Sequence, residues 1–243
     1  RSAGRSGTSP TAATGASQAA KGWWRSLPEP DVIRANLAAV RERVGPDVEI
    51  LAATKYVDRD GMPALAEAGI TLVGENRSDA LAAKQQLYGP LFTWDFIGHV
   101  QSRKVRDIAG RVRLIHAVDS LSACRRMQDQ AQSSVDCLLQ VNVAGEDTKA
   151  GVGLQQVDGF LDDVATLERV RFDGLMTMPP LVHDPNEARP WFAALRELRD
   201  RLAPAWQGRH ELRELSMGTS QDYVAAAAEG ATIVRVGSVL YGR

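Results

Sequence analysis

Residues 50–55 read Ile-Leu-Ala-Ala-Thr-Lys, an apolar run with the composition of a buried strand that ends on Lys55. A lysine at the end of a buried strand is expected to be partly desolvated, which favours the neutral amine. The neutral amine is the form that attacks a carbonyl group to make a Schiff base. The alternative is a lysine whose stem lies along the rim of the fold while its ammonium group reaches water.

Two glycine-containing segments near the other end of the chain have the residue types of an anion site. Residues 216–220 read Ser-Met-Gly-Thr-Ser, and Arg235 is followed by Val236, Gly237 and Ser238. Glycine lets the main chain approach an anion, and exposed N–H groups attract negative charge. Turn glycines and serine helix caps produce the same pattern, so each segment alone is ambiguous.

An alternation of strands and helices must position these residues. Apolar runs of strand length fall at residues 48–54, 70–73, 93–97, 114–118, 137–143, 172–176, 212–216 and 232–236. Helical periodicity falls at residues 31–44, 64–68, 78–87, 102–109, 121–131, 154–167, 186–202 and 222–229. Eight such units predict an α/β fold, a single (β/α)8 barrel over residues 29–243. An open doubly wound sheet is the alternative, although no glycine-rich dinucleotide turn follows the first strand.

Barrel closure would place the lysine beside the glycine segments. The last strand pairs with the first, the active face is the C-terminal rim, and phosphate commonly binds the loops after strands 7 and 8. Lys55 next to a phosphate site indicates a phosphorylated aldehyde held covalently, with pyridoxal 5'-phosphate (PLP) as the leading candidate. Arg235 can only donate hydrogen bonds, so facing the pyridine nitrogen it would weaken the ring as an electron sink. Racemisation or simple cofactor holding would suit such a site.

Composition narrows the class of protein. The 243-residue chain has a net charge of -1, which gives no support to nucleic-acid or membrane-surface binding. Its two cysteines lack C-x-x-C spacing, so neither a disulfide framework nor a metal site is expected. No apolar run approaches membrane-spanning length, and we predict a cytoplasmic protein. Residues 1–28 contain no acidic residue and predict a flexible N-terminal tail, whose Trp23 and Trp24 would pack onto the domain.

Short motifs occur in a fixed order along the chain. They are residues 53–55 (Ala-Thr-Lys), 74–76 (Gly-Glu-Asn), 96–104 (Phe-Ile-Gly-His-Val-Gln-Ser-Arg-Lys), 174–176 (Gly-Leu-Met), 216–220 with Asp222, and 234–238 running into Tyr241 and Gly242. Each string is weak alone, but the ordered set is specific. From about residue 31 to its C-terminus the chain resembles the YggS/PROSC family of pyridoxal-phosphate homeostasis proteins.

The resemblance implies a barrel similar to the N-terminal domain of alanine racemase, with PLP held as a Schiff base on Lys55. By family similarity Arg235 would face the ring nitrogen. The phosphate would be held by Ser216, Gly237 and Ser238. The pocket would also be lined by Asn76 and Met217. No catalytic residue is implied.

The function implied by the resemblance is intracellular PLP homeostasis, as a carrier or buffer without clear turnover. PLP is the expected ligand, PLP-dependent apo-enzymes are the expected transient acceptors, and a monomer is expected. The alternative is a PLP-dependent amino-acid racemase, against which we expect that no second domain follows the barrel to supply a base, since Arg243 lies a few residues past the last predicted strand. A Schiff-base aldolase acting without PLP is a third hypothesis.

Three further features have an ambiguous role. His99 would lie at the end of strand 3, where a ligand contact and a partly buried rim histidine are both open. His116 lies within strand 4 and is predicted to be structural. The long segment from Met176 to about Pro190 is a candidate lid or partner surface, or a passive surface loop.

Overall fold

The structure is a computed structural model that describes residues 28–146 and 149–242. The predicted N-terminal tail, with Trp23 and Trp24, therefore lies outside the described residues except for Pro28. Among the described helices none is both long and apolar enough to cross a membrane.

Parallel strands in the described part of the chain close into a barrel. They are β1 (Glu49–Ala53), β2 (Leu72–Glu75), β3 (Thr93–His99), β4 (Leu114–Val118), β5 (Val135–Asn142), β6 (Val152–Gly153), β7 (Val170–Met176), β8 (Glu214–Thr219) and β9 (Ile233–Val236). Their order is β4-β3-β2-β1-β9-β8-β7-β5, and β5 pairs back to β4. The two-residue β6 pairs with β5 outside this ring. Eight strands thus form the closed ring, which confirms the predicted (β/α)8 barrel.

Helices connect successive strands and cover the outside of the barrel. They are α1 (Pro30–Val44), α2 (Met62–Glu67), α3 (Ser78–Tyr88), α4 (Val105–Ile108), α5 (Leu121–Gln130), α6 (Val157–Val164), α7 (Arg189–Trp206) and α8 (Tyr223–Ala228). Short 3-10 turns at Gly89–Leu91, Ser102–Lys104, Leu154–Gln156 and Pro185–Ala188 supplement them. Alternating strands and helices with right-handed crossovers produce this arrangement.

Observed strand ends differ from the sequence prediction by no more than three residues. The largest difference is at β8, which was predicted over residues 212–216 and runs from Glu214 to Thr219. Leu212 has a φ of 48°, which lies outside the β region, so the strand begins after it. The later end of β8 carries the strand through Gly218 to the rim of the barrel.

Two apolar clusters hold the fold together, because strand side chains alternate between the two faces of the sheet. The larger cluster joins the strands to the helices and includes Phe172, Phe192 and Met217. The smaller one contains strand residues that pack inside the barrel, among them Leu51 and Leu138. The interior is not wholly apolar: Asp95, His116 and Ser216 are strand residues with no exposed surface, and Arg235 is 6% exposed.

A buried histidine packs outside the barrel, against the start of β7. The ring of His210 lies 5.4 Å from that of Phe172 and 5.3 Å from that of Trp206, measured between centroids. Its Nδ1 accepts a hydrogen bond from the Phe172 N–H at 3.2 Å, so the neutral ring carries its proton on Nε2. Nε2 has no hydrogen-bond partner among the described residues. Burial lowers the pKa of His210 from 6.5 to about 4.

Because His210 is buried in its neutral form, we predict that the free energy of unfolding decreases in acid. Between pH 6.5 and about 4 the unfolded chain binds a proton on His210 and the folded chain does not, so the free energy of unfolding falls as the pH falls through that window. The loss at its lower end is about 3 kcal/mol, from 1.36 kcal/mol per pKa unit. Urea unfolding of His210→Asn, compared with wild type at several pH values, should show a shallower decline. Substitution of the exposed His183 by Asn is the control, and an equal decline in all three proteins would contradict the prediction.

Candidate functional site

A cavity of about 580 Å³ opens at the C-terminal mouth of the barrel. Its volume falls within the roughly 300–1,000 Å³ of small-molecule sites. The lining comes from the C-terminal ends of all eight strands of the closed ring, β1–β5 and β7–β9, and from the loops that follow them. Five of the seven predicted cofactor-binding residues line it together: Lys55, Asn76, Arg235, Gly237 and Ser238. The barrel therefore brings the lysine and the C-terminal segment to one place.

Lys55 follows β1 by two residues and is exposed. Of the two interpretations that the sequence left open, the partly desolvated amine is not observed and the lysine that reaches water is, because the chain leaves the strand at Thr54 and Lys55 lies exposed beyond it. Its Nζ lies 5.0 Å from the centroid of the Tyr56 ring. An amine in this position is open to a carbonyl compound that enters the cavity.

A buried ion pair fixes the peptide that precedes Lys55. Lys84 of α3 donates to the Thr54 carbonyl oxygen at 2.8 Å and pairs with the Glu75 carboxylate. The Thr54 hydroxyl donates to the same carboxylate at 3.2 Å. Both charged side chains are at most 5% exposed. The contacts tie β1, β2 and α3 together next to Lys55, so the main chain that carries the amine is held in place.

Arg235 enters the cavity from inside the barrel, on β9. Its Nη1 donates to the Ser216 hydroxyl, and its Nη2 donates to the Thr177 carbonyl oxygen at 2.9 Å. Nη2 also lies 2.9 Å from the sulfur of Met178. Burial lowers the pKa of Arg235 to about 10, which still leaves the guanidinium charged at neutral pH. The site therefore contains a fixed cation below its mouth.

The loops after β8 and β9 meet through a serine that sequence reasoning left out of the site. Ser220 accepts hydrogen bonds from the main-chain N–H groups of Gly237 and Val239, at 2.9 and 3.3 Å. Gly218 has a φ of +90°, and an added Cβ would lie 2.6 Å from the Cβ of Ala226, so only glycine fits. Ser220 and Ser238 both line the cavity at this turn, where a hydroxyl group can donate to a phosphate. The sequence feature that could have identified Ser220 as a site residue is its hydroxyl group at the end of the glycine-containing segment 216–220.

Two predicted pocket residues have side chains elsewhere. Ser216 is fully buried inside the barrel, where its hydroxyl contacts Arg235 and His116. Met217, the next residue of β8, points to the opposite face and packs in the cluster between strands and helices. Neither residue lines the cavity, because the alternation of the strand directs one side chain below it and the other away from it. Their direct contact with a cofactor finds no support in these positions.

Other residues complete the cavity wall. Tyr241 donates from its hydroxyl to the Ala53 carbonyl oxygen at 3.3 Å, and burial raises its pKa. Gln140 donates to the Ala150 carbonyl oxygen at 3.2 Å. Tyr241 belonged to a motif noted in the sequence but had no role there, whereas Gln140 reads as an ordinary strand residue.

His99 and Asn76 occupy the rim on the β2–β3 side. His99 is exposed, rather than partly buried, and its Nδ1 lies 3.7 Å from the Asp119 carboxylate. Gly98 packs against Asn76 so closely that an added Cβ would lie 2.2 Å from the Asn76 carbonyl oxygen. Glycine at this position therefore permits the two strand ends to converge on the cavity.

Comparisons with known proteins place this geometry in context. Residues 29–243 match the family model of the alanine racemase N-terminal domain. The pyridoxal phosphate homeostasis protein of Aquifex aeolicus is 37% identical over 198 residues, covering 80% of this chain and 86% of that protein. PipY of Synechococcus elongatus PCC7942, in its structure with PLP bound, matches with a TM-score of 0.78 at 32% identity, covering 86% of this chain and 100% of that one. Alanine racemase of Corynebacterium glutamicum, at 16% identity and a TM-score of 0.69, shares the fold.

The ion pair below Lys55 gives a stability prediction. Lys84→Met should lower the free energy of unfolding by about 3 kcal/mol, because it leaves the Glu75 carboxylate buried without its cation. Adding Glu75→Gln should restore part of that loss. Lys104→Met removes an exposed partner of Asp107 and should change stability by less than about 1 kcal/mol. Urea unfolding measures all three, and equal losses for the two lysine variants would refute a buried pair.

Proposed function

This chain belongs to the alanine racemase N-terminal domain family and, within it, to the pyridoxal phosphate homeostasis proteins, and from that premise we propose that it binds PLP through Lys55 as a carrier or buffer of the cofactor. The observation that carries the proposal is that Lys55, Arg235 and the Gly237–Ser238 turn line a single cavity. A relative of this chain is known with PLP bound, which supports the choice of ligand.

The residues present fit the three chemical parts of PLP. The cavity of about 580 Å³ exceeds what a single substituted pyridine ring needs. An exposed amine at Lys55 suits an aldehyde, and the hydroxyl groups of Ser220 and Ser238, which line the cavity beside Gly237, suit a phosphate. The Arg235 guanidinium suits a hydrogen-bond acceptor such as a ring nitrogen. When bound, PLP supplies an aldehyde carbon that condenses with the lysine amine, forming a C=N bond and releasing one water.

Arg235 supports cofactor holding over carbanion chemistry. Its guanidinium keeps its protons at neutral pH and donates hydrogen bonds only. The ring nitrogen that it would face would accept such a bond and stay unprotonated. An unprotonated ring withdraws fewer electrons from a bound amino acid. This chain's own residues would thus position the cofactor while giving little help to proton removal. No contact among the described residues favours the racemase or aldolase alternatives.

Release to PLP-dependent apo-enzymes is part of the proposal. Apolar side chains stand exposed on the loops at this mouth: Tyr56 at 56%, Met178 at 48% and Leu181 at 83%. Exposed apolar groups of this kind are typical of contact surfaces. The loop after β7, a candidate lid or partner surface by sequence, contributes two of them. We also propose that the protein is a monomer and that it carries PLP in the cytoplasm.

The covalent link gives the first test. Wild-type protein incubated with PLP and reduced with borohydride should carry one reduced pyridoxyl-phosphate group on Lys55 in a peptide mass spectrum. Lys55→Ala should lose both the adduct and the visible absorbance that PLP gains on the protein. Lys104→Ala, which removes an exposed lysine of the Ser102–Lys104 turn, is the control and should keep both.

The same samples separate the alternatives. An adduct on another lysine, or none on the wild type, would contradict PLP binding through Lys55. Steady formation of D-alanine from L-alanine by PLP-loaded protein would favour the racemase. Borohydride trapping of a sugar phosphate on Lys55 in protein without PLP would favour the aldolase.

A further inference from the structure

A row of hydrogen-bonded polar side chains crosses the barrel interior and ends on Arg235. Ser216 of β8 contacts the arginine on one side and His116 Nδ1 on the other, the latter at 2.9 Å. His116 Nε2 lies 3.0 Å from the Asp95 carboxylate of β3. Arg113 closes the row by donating to both oxygens of Asp95, at 3.0 and 2.7 Å. We call these four residues, Arg113, Asp95, His116 and Ser216, the interior relay.

The chemistry of the two ends fixes every proton in the row. Arg235 can only donate, so the Ser216 oxygen accepts a hydrogen bond from it. The buried serine hydroxyl then needs an acceptor for its own hydrogen, and His116 Nδ1 is the group in contact that can accept. Nδ1 is therefore unprotonated, and the neutral ring carries its hydrogen on Nε2. That hydrogen is donated to the Asp95 carboxylate, which can only accept. One proton arrangement satisfies all the groups.

The electrostatics of the row agree with this arrangement. Burial would raise the pKa of Asp95, but hydrogen bonds from His116 and Arg113 outweigh it and lower that pKa. Burial lowers the pKa of His116, despite the opposing effect of the Asp95 carboxylate. Asp95 is thus ionised and His116 neutral at neutral pH. Arg113 supplies the compensating charge at the far end, where it also binds Glu49.

We propose that the interior relay positions Arg235 for the ring end of the bound aldehyde cofactor, with His116 acting as a positioning residue in its neutral Nε2–H form. The proposal rests on the proposed PLP-binding function for its ligand, but not for its proton arrangement. Arg235 has further contacts through Nη2, with the Thr177 carbonyl oxygen and the Met178 sulfur, so loss of the relay would leave the guanidinium attached at Nη2 but without its Nη1 acceptor. The relay therefore affects orientation at the ring end and leaves the phosphate turn, at Gly237, unchanged.

The proton arrangement is tested in protein without cofactor. Nitrogen-15 NMR of the histidine side chains should assign His116 as neutral with hydrogen on Nε2 at pH 7. Hydrogen on Nδ1, or a doubly protonated ring, would overturn the relay as assigned. This readout is independent of any ligand, so it stands even if the wild type binds no PLP.

The positioning role is tested by affinity for two aldehydes, PLP and pyridoxal, which lacks the phosphate. His116→Phe and Ser216→Ala should each weaken both by roughly tenfold, the size of one hydrogen bond to a charged group, and leave the ratio of the two affinities unchanged. His116→Gln, which retains a donor and an acceptor, should recover part of the loss. His183→Phe, in an exposed loop, should have no effect.

Each other outcome is decisive. Wild-type affinity in His116→Phe and Ser216→Ala would overturn the positioning role. A Ser216→Ala protein that loses affinity for PLP alone would show that this serine serves the phosphate instead. Circular dichroism checks folding, and if His116→Phe fails to fold, Ser216→Ala and His116→Gln carry the test. A wild type that binds neither aldehyde would refute the proposed function and leave the relay to the NMR result.

Discussion

The site depends on holding a charged guanidinium inside a barrel. Burying a charge is unfavourable unless hydrogen bonds compensate it, and Arg235 is only 6% exposed. The barrel supplies the acceptors from neighbouring strands: the Ser216 hydroxyl on β8 and the Thr177 carbonyl just after β7. Because these groups belong to the closed sheet, the position of the cation is set by the fold before any ligand arrives. The position of the charge at the base of the cavity is therefore also set by the fold.

Closure of the barrel brings the Lys55 amine to the cavity that contains the Arg235 cation. β1 pairs with β9 in a register that sets Leu51 opposite Arg235, so Lys55 reaches the rim on the adjacent strand. Tyr241 donates to the Ala53 carbonyl oxygen and Asn36 of α1 donates to the Leu240 carbonyl oxygen at 3.0 Å, which fastens the C-terminal turn to β1 and α1. The result is asymmetric: the cation is held by several hydrogen bonds inside the barrel, whereas the Lys55 amine is exposed and lies over the Tyr56 ring at the rim.

Much of this arrangement could be predicted from the sequence, because it follows from local patterns. Apolar runs, helical periodicity and the number of units gave the barrel, and barrel closure then brought Lys55 to Arg235. The interior polar residues could not be found this way. Asp95 stands between Trp94 and Phe96, an alternation typical of a strand with one face in water, yet in a barrel the second face is buried too. Its partners, Arg113 and His116, become apparent only when β3 and β4 are placed side by side.

Stability alone does not account for these interior charges. Replacing a buried ion pair by well-packed apolar residues is often neutral or stabilising, so a barrel selected for stability would fill its centre with aliphatic side chains. In the described part of the chain, buried charged side chains are bonded to one another in the row from Arg113 to Arg235 and in the pair of Glu75 with Lys84. Each lies beneath one of the ligand-facing groups, the guanidinium and the lysine. Directional bonds fix orientation in a way that apolar packing does not, and orientation is what a site must supply when it holds an aldehyde between an amine and a cation.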